Sequence, residues 1–549
     1  MKQPEPDRMV VDVGELRGLR DRAAQGPLGE ADLILLDRVI ETLIWLLAVV
    51  ERGRVTVTRL RKMLFGAKTE KTEDVLPGGG KQDDTGDSVG KGSQGSGGRG
   101  KRQRKPGHGR NAADAYTGAE RTRVDHETLS PGDPCPECGD GKLYELATPA
   151  VLVVVMGQAP LGARVYERQR LRCNLCGKVF TAALPDGARE QKYDETVASM
   201  IGVLKYGSGM PFNRLDRLEA GMGIPLPAST QWDIVNAAAP LLRPAYEELI
   251  RQAAQGEVIH NDDTTMKILE RMAYLDQARR DGTTPERTGT FTTGVVSKVD
   301  GHTIALFFTG EQHAGENLAD VLRWRAAELE PPIQMSDALA RNQPGEFATI
   351  LANCNAHARR RFVDVVASFP SEVEEVLTIL QEVYKHDATA KRQQLSPAAR
   401  LHLHQEHSGP LMAKLEAWLQ RQFDEKLVEP NSPLGEAITY MQEHWDKLTL
   451  FLRVAGAPLD NNVCERALKK AIMHRKASLF YKTHNGAAVG DTYMSLIYTA
   501  ELQGVSTFDY LNALQRHASD VREHPERWMP WNFAATMAAY ERAAEIESA

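Results

Sequence analysis

The sequence predicts a multidomain chain that combines an α/β core with all-helical regions. Its 549 residues correspond to three or four domains at about 150 residues each. Between residues 257 and 310, three β-rich runs are separated by turns, and a helix and two short strands extend this pattern to residue 354. Helical patterns lie on both sides of this region, which predicts helical domains before and after the core.

Composition and charge exclude several classes of protein. Hydrophobic residues make up 42% and charged residues 26% of the chain, as in ordinary globular proteins. The longest apolar run, 43–50, is far shorter than the ~18 residues that cross a membrane, and the first residues lack a secretory signal. We therefore expect a cytoplasmic protein without a membrane partner. Because the formal net charge is -7, any binding of nucleic acid must come from local basic patches.

Residues 30–75 form a predicted N-terminal helical region, and residues 76–115 a predicted flexible linker. Leu and Val recur at heptad spacing in the first, which favours a coiled coil over an amphipathic helix packed on its own domain. The linker is rich in Gly, Ser and charge and lacks the apolar residues for a core. Its end carries a basic arm that either binds DNA phosphates or acts as a solubilising tether. The arm contains Lys101, Arg102, Arg104 and Lys105.

Residues 116–190 contain two Cys-x-x-Cys pairs, Cys135/Cys138 and Cys173/Cys176. In a cytosolic chain this spacing favours a metal site over disulfides. Four thiolates complete a tetrahedral Zn²⁺ shell, so the ion would be structural rather than catalytic. Strand-like sequence between the pairs predicts a zinc ribbon of two hairpins, and four unrelated thiols are the alternative.

Residues 191–255 are predicted to be all-helical. Three helical runs end at Gly- or Pro-rich stops, and Ser229 is the predicted N-cap of the last and longest run. Helix, turn and helix with polar residues at the start of the later helix fit a helix-turn-helix DNA reader. A plain helical connector is the alternative that the pattern leaves open.

Three acids lie where phosphoryl-transfer chemistry is plausible. Asp262 and Asp337 end short apolar strands, and Glu465 lies near the start of a helix. Two Asp at neighbouring strand ends and a Glu from a crossing helix can bind two Mg²⁺ (or Mn²⁺) ions about 4 Å apart, which would activate the attacking oxygen and stabilise the leaving one. Taken singly, the same acids also fit turn residues and a solvated helix face.

Glu465 begins the most basic part of the chain, "ERALKKAIMHRKASLFYK". Basic residues beside metal-binding acids would hold the phosphates of the DNA on which the ions act. The predicted DNA-binding residues of this segment are Arg466, Lys469, Lys470, Arg475, Lys476 and Lys482.

Several motifs together make the chain similar to a known family. They are "RKMLFGAKTEK", the "KPGHGR" to "CPECG" segment, the second cysteine pair, "KYGSGMPFNRL", "VIHNDDTTMKIL", "CNAHARRRF", "LDNNVCERALKKAIMHRKASLF" and "WMPWNF". With these motifs the chain resembles the DDE transposases of the insertion sequence 66 family over nearly its whole length. The combination is specific, although the single pieces are not.

The resemblance implies a ribonuclease-H-like catalytic core in two parts, residues 256–362 and 456–515. A helical insertion, residues 363–455, would separate the second and third acids. Residues 516–549 would form a C-terminal tail.

The resemblance also assigns Asp262, Asp337 and Glu465 as the catalytic, metal-binding acids. The family has Asp-Glu-Thr-Pro where this chain has "DDTT", so Asp263 competes with Asp262 for the first role. Strand alternation would point the two to opposite faces, and the motif aligns on Asp262. The segment "CNAHARR" implies a cluster that faces DNA or the active site, while a capped helix start with solvated charges is the alternative. The cluster contains His357, Arg359 and Arg360.

The implied function is a transposase that binds the terminal inverted repeats of a bacterial insertion sequence and catalyses DNA strand cleavage and strand transfer. It would act at the nucleoid on double-stranded element ends and target DNA, as a homodimer or higher homo-oligomer. Small accessory proteins of the same element are candidate partners. The alternatives are a catalytically silent DNA-binding protein derived from a transposase and a ribonuclease-H-like nuclease specific for DNA structure.

Overall fold

The computed structural model describes residues 191–548 throughout, parts of 123–188 and a few of the first 36 residues. Described residues between 123 and 160 belong to the smaller of two compact units, and the others belong to the larger. Most of the predicted coiled-coil region and all of the linker 76–115 lie outside the described residues. So do the basic-arm residues Lys101, Arg102, Arg104 and Lys105 and the cysteines Cys138, Cys173 and Cys176.

Two small β pairings lie close to the cysteine pairs in sequence. In the smaller unit, Pro134 and Lys142 form an isolated antiparallel bridge next to Cys135, whose thiol is free. In the larger unit, β1 (Arg170–Arg172) and β2 (Val179–Thr181) pair antiparallel. The two strands flank residues 173–178, so strand structure is present where the sequence around the second cysteine pair predicts it.

A five-stranded mixed sheet forms the centre of the larger unit. Its strands are β3 (Val258–Thr265), β4 (Phe291–Val299), β5 (His302–Gly310), β6 (Ile333–Ser336) and β7 (Ile350–Asn353). Their order is β5-β4-β3-β6-β7. The β5-β4-β3 part is antiparallel and the β3-β6-β7 part is parallel. With helices before and after the sheet, this confirms the predicted combination of α/β and α structure.

The region 191–255 is mainly helical, as predicted, and contains α1 (Glu195–Gly202), α2 (Phe212–Gly221) and α3 (Ala228–Ala253). The prediction that Ser229 caps α3 is wrong, because Pro227 is the N-cap and the helix therefore begins two residues earlier than predicted. Proline already holds the φ of a chain that enters a helix, and the Pro227 carbonyl accepts a hydrogen bond from Gln231 N at 3.0 Å.

The remaining helices lie between the strands of the sheet and after them along the chain. Those within or directly after the strands are α4 (Leu269–Arg280), α5 (Ala314–Leu322) and α6 (Asn355–Val365). A helical stretch follows, with α7 (Pro370–Arg392), α8 (Pro397–Leu403), α9 (Gly409–Asp424), α10 (Pro433–Glu443) and α11 (Trp445–Leu448). The chain then forms α12 (Asn462–Ser478), α13 (His484–Leu502), α14 (Thr507–Arg516), α15 (Ala518–Glu523) and α16 (Phe533–Ser548).

The apolar interior of the larger unit consists of two clusters that meet at β3. Val258 belongs to the cluster that contains residues of α7, α9 and α10, whereas the next residue, Ile259, belongs to the cluster that contains residues of α3 and α13. Successive side chains of a strand point to opposite faces. The strand that carries Asp262 is therefore held from both sides by large apolar clusters, which fixes its position.

The edge strand β5 is covered by polar side chains of α13. A rise of four helical residues is about 6 Å and a rise of two strand residues is about 6.8 Å, so residues four apart on the helix can reach alternate N–H groups of the strand. Satisfying these groups prevents the edge from pairing with another chain. The acceptors are Asp491 for Thr309 N, Ser495 for Phe307 N and Thr499 for Ala305 N, at 2.6, 3.0 and 3.1 Å.

The sequence pattern did not predict α4, which lies between β3 and β4. Only Leu275 and Ala278 of this helix are buried, so it presents a narrow apolar face that is hard to recognise in the sequence. Within the described residues, no helix is both long and apolar enough to span a membrane.

Thr499→Val removes the hydroxyl that satisfies the Ala305 N–H at nearly constant shape. We expect the free energy of unfolding to fall by about 1–3 kcal/mol, because a buried donor loses its acceptor. Thr492→Val is the matched control, because the buried Thr492 hydroxyl bonds only to Ala488 O of its own helix. Chemical denaturation measures both, and an equal loss in the two variants would contradict this role of α13.

Candidate active site

The sheet register places Asp262 and Asp337 side by side. In the parallel pairing of β3 with β6, Val258 lies opposite Ile333 and His260 opposite Met335. Continued by two residues, the same register would bring Asp262 level with Asp337, and the charge of Asp337 raises the pKa of Asp262, as expected for neighbouring carboxylates. Asp337 follows the last residue of β6, as predicted. Asp262 lies within β3 rather than at its end, because antiparallel pairing with β4 continues to Thr265.

A close approach of α12 to β4 brings Glu465 to the same level. Asp262 pairs across the sheet with Gly294, and a Cβ atom at residue 294 would lie 3.0 Å from Leu468 Cγ and 3.3 Å from Cys464 Sγ. The Cys464 thiol donates a hydrogen bond to Gly294 O at 3.2 Å. The first turn of α12 therefore lies directly over the strand next to Asp262, and Glu465 follows Cys464 in that turn.

The electrostatics of Asp262 reflect this convergence. The pKa of its carboxyl is raised to about 7, mainly by burial, with a smaller contribution from the charges of Asp337, Asp263 and Glu465, while a hydrogen bond from Asp263 N lowers it. Because this pKa exceeds its ordinary value, ionisation of Asp262 costs folding free energy. We expect the cation-free protein to lose this part of its stability as the pH rises from about 4 to about 7.

Asp263 is engaged away from the triad of Asp262, Asp337 and Glu465. Its side chain is 3% exposed and lies 3.1 Å from His313 Nδ1 and 3.4 Å from a guanidinium nitrogen of Arg341. These groups can balance its charge within the fold. Of the two neighbouring acids, Asp262 is thus the one that lies with Asp337 and Glu465.

A network of buried amides holds Asp337. Its carboxylate accepts hydrogen bonds from the Asn342 side chain and from Leu339 N. The backbone carbonyl of Asn342 in turn accepts hydrogen bonds from the side chains of Asn261 and Gln334, at 2.8 and 2.7 Å. All three amide side chains are buried. Both donors bond to the same oxygen, Oδ1 of Asp337, which fixes the carboxylate and leaves its other oxygen for a cation.

A second buried network sets the start of α12. Asn461, the N-cap residue, donates to Asn261 O at 3.1 Å, and its side-chain oxygen lies 3.1 Å from His260 Nδ1. Burial lowers the pKa of His260 to about 4, so the ring is neutral near pH 7 and Nδ1 can donate to Asn461. Since Asn461 O accepts from Glu465 N at 3.1 Å, this network links β3 to the turn that carries Glu465.

The three acids fit a hard divalent cation. Carboxylate oxygens are the ligands that Mg²⁺ prefers. A cation would also relieve the repulsion that raises the pKa of Asp262. Asp262, Asp337 and Glu465 are therefore the residues that could hold it.

The start of α6 joins the same site. His357 Nε2 lies 3.9 Å from Glu465 Oε1. Cys354, the N-cap of α6, accepts a hydrogen bond from Asn461 N at 3.2 Å. The prediction of an active-site-facing cluster thus agrees with the geometry for His357. Arg359 and Arg360 lie on α6, are half-buried and have interactions of their own.

The basic residues after Glu465 divide into two groups. Lys470 binds Glu501 at 2.8 Å and Gly207 O at 3.1 Å, and Arg475 donates to the hydroxyls of Thr264 and Thr265. These two join α12 to its neighbours within the fold. The remaining predicted residues are exposed: Arg466, Lys469, Lys476 and Lys482.

Sequence reasoning missed the supporting amides. Asn261 and Asn461 lie in the same motifs as Asp262 and Glu465, so their closeness to these acids in the sequence could have indicated a supporting role. Asn342 lies in "ARNQPG" and Gln334 in an apolar strand, where no local pattern distinguishes them from loop or edge residues.

Comparison with known protein families agrees with this geometry. The family model described as transposase IS66 family matches residues 191–489, which is more than half of the chain. The chain belongs to the IS66 transposase family. The match extends from α1 through the sheet and the helical stretch to α13, and so includes all three acids of the site. IS66 transposases act on DNA, which relates the site to a DNA-processing enzyme.

Two curated relatives share the family-sized part of the chain. The chain is 26% identical to the uncharacterized protein y4jD of Sinorhizobium fredii over 431 residues, 72% of this chain and 78% of that one. It is 26% identical to the uncharacterized protein y4hP of the same organism over 444 residues, 76% of each chain. At this identity, the relatives support common descent and add no function of their own.

Asp337→Asn removes a like charge from beside Asp262. We expect the pKa of Asp262 to fall, because less repulsion opposes its ionisation. NMR titration of the protein with ¹³C-labelled Asp carboxyls, without divalent cations, measures this pKa. Asp276→Asn on the exposed part of α4 is the control and leaves the value unchanged. An equal pKa for Asp262 in wild type and Asp337→Asn would show that the two carboxylates are not neighbours.

Proposed function

We propose that this chain is a DDE transposase that binds the terminal inverted repeats of a bacterial insertion sequence, cleaves the DNA strands at these ends and transfers them to target DNA. The convergence of Asp262, Asp337 and Glu465 next to exposed basic residues carries the proposal. Membership of the IS66 family makes DNA the expected substrate.

The sheet order supports a ribonuclease-H-like core for this chemistry. In the sheet, β4 and β5 lie on one side of β3, and the strands that follow in sequence, β6 and β7, lie on its other side. Ligands of α/β sheets bind at such a reversal, beyond the carboxyl ends of the parallel strands. Asp262 and Asp337 lie toward these ends of β3 and β6. Residues 256–362 and 456–515 would form the core, and residues 363–455 the helical insertion.

The residues of the site have separable roles in the reaction. Mg²⁺ or Mn²⁺ held by Asp262, Asp337 and Glu465 would supply activation of the attacking oxygen and stabilisation of the leaving one. Asn342 keeps one oxygen of Asp337 in place, and Asn461 keeps the first turn of α12 on the sheet. These buried groups fix the acids before DNA binds, so no reorganisation is needed during the reaction.

Exposed lysines of α12 would hold the DNA backbone beside the acids. Lys469 and Lys476 follow Glu465 by four and eleven residues and lie on the same helical face, about 6 and 16 Å along the axis. Arg466 and Lys482 extend the positive surface. His357, Arg359 and Arg360 would approach the DNA from α6. Phosphate contacts of this kind give affinity without sequence preference.

The remaining parts would select and pair the element ends. Cys135, Cys138, Cys173 and Cys176 would bind a structural Zn²⁺ in a zinc ribbon, as their spacing and the β1–β2 hairpin support. The ribbon and the helices α2 and α3 would read the terminal repeats in helix-turn-helix fashion. The N-terminal coiled coil would join subunits into a homodimer or higher oligomer in the cytoplasm.

Cleavage of DNA that carries the element end tests the proposal. With Mg²⁺, the full-length protein should nick the end and produce joined products, and Asp262→Asn, Asp337→Asn or Glu465→Gln should each lower the rate by at least about a hundredfold. Asp263→Asn is the matched control and keeps the rate within about tenfold, because its partners are His313 and Arg341.

The products separate the alternatives. Cleavage without joined products would indicate a nuclease, and an inert wild type would indicate a silent DNA-binding protein. Triad variants that cut as fast as wild type would show that other residues carry the reaction.

A further inference from the structure

The start of α6 and the first turn of α12 bring together a second set of possible metal ligands. Cys354, His357 and Glu465 each offer a ligand atom, and these three atoms lie within 4.8 Å of one another. Cys354 and His357 are three residues apart and therefore lie on the same side of the start of α6. Glu465 is the one residue that this set shares with the acid triad.

Burial raises the pKa of the Cys354 thiol, so a metal ion that binds the sulfur has to displace its proton. The sulfur is buried and accepts a hydrogen bond from Asn461 N at 3.2 Å. The backbone N–H groups of Ala356 and His357 at the start of α6 lower the pKa of this thiol, although by less than burial raises it. N–H donors directed at sulfur stabilise the negative charge that a thiolate carries when it binds a metal.

His357 and Glu465 complete the set on the open side. Their side chains are 28% and 30% exposed, so an ion can reach them from solvent. His357 Nδ1 is buried and has no hydrogen-bond partner among the described residues. Coordination through Nε2, the nitrogen that lies 3.9 Å from Glu465 Oε1, would fix the tautomer of the ring with its proton on Nδ1.

We propose that Cys354, His357 and Glu465 bind a borderline divalent transition metal ion such as Zn²⁺. One sulfur, one nitrogen and one oxygen ligand suit tetrahedral Zn²⁺ with one position open. Mg²⁺ prefers oxygen ligands in octahedral geometry, so this set discriminates against the ion expected at the triad. The present separation of 3.9 Å between His357 Nε2 and Glu465 Oε1 requires only a small movement of the two side chains.

Occupation of this site would oppose catalysis. Glu465 cannot serve Zn²⁺ with Cys354 and His357 and also complete the triad with Asp262 and Asp337. The ion would therefore act as an inhibitor that removes the third acid from the active site. Only this consequence rests on the proposed function, because binding itself requires no reaction.

Co²⁺ added to the full-length protein, purified with its bound zinc, tests the binding. Thiolate ligation of Co²⁺ gives a charge-transfer band in the near ultraviolet, and we expect one additional ion per chain with such a band. Cys354→Ser should abolish this band. Cys464→Ser is the matched control, since Cys464 is also buried and adjoins Glu465 but bonds to Gly294 O. His357→Gln should keep the band and weaken binding by at least about tenfold.

Two results would overturn the site. One is a Co²⁺ band of equal strength in wild type and in Cys354→Ser with an unchanged melting temperature, because the ion would then bind other thiols. The other is a Co²⁺ affinity that His357→Gln leaves unchanged.

Inhibition of the Mg²⁺-dependent cleavage tests the consequence. Micromolar Zn²⁺ should slow cleavage by wild type and by Cys464→Ser at least about tenfold more than cleavage by Cys354→Ser, each relative to its own rate without Zn²⁺. Equal fractional inhibition of all three would overturn the inhibitory role. If wild type does not cleave at all, the proposed function fails, and the Co²⁺ titration still decides the site.

Discussion

The site depends on how closely α12 lies on β4. Gly294 permits this approach, because a Cβ atom at residue 294 would lie 3.0 Å from Leu468 Cγ and would push Leu468 outward. Gly294 is also the register partner of Asp262. One missing side chain therefore sets the distance between the acid on the sheet and the acid on the helix, which are about two hundred residues apart in sequence.

Around this contact, the interior uses polar groups for position and apolar groups for stability. The buried side chains of Asn261 and Asn461 donate to backbone carbonyls of neighbouring segments, and the buried Asn342 side chain donates to the Asp337 carboxylate, so each fixes a segment that carries an acid. Together they hold Asp262 in a place where burial and like charge raise its pKa. A site in which negative charges repel one another is favourable for a cation. Such a site lowers the stability of the protein without the cation, which is the common trade-off between stability and function.

Much of this fold could be predicted from periodicity, and much of the site from motifs. The β-rich runs at β3, β4 and β5 have clear apolar patterns, and the motifs place Asp262, Asp337 and Glu465. The α4 helix has only two buried residues, so its sequence lacks the wide apolar face that indicates a helix. The sequence predicts that β3 ends at Asp262, whereas it continues to Thr265. Its last residues are polar and are held in the strand by pairing with β4, which the local sequence does not show. The roles of Asn342, Gly294 and Cys354 arise from contacts across the fold, and no local sequence could reveal them.

The central claim is that Asp262, Asp337 and Glu465 form one cation site. Anomalous diffraction from crystals of the protein with Mn²⁺ tests it most directly, since it locates the ion independently of any assay. The account predicts an anomalous peak coordinated by oxygen atoms of all three carboxylates, with Asp263 still paired to His313 and Arg341. A well-occupied peak bound by Asp263, or by acids outside the triad, would contradict it.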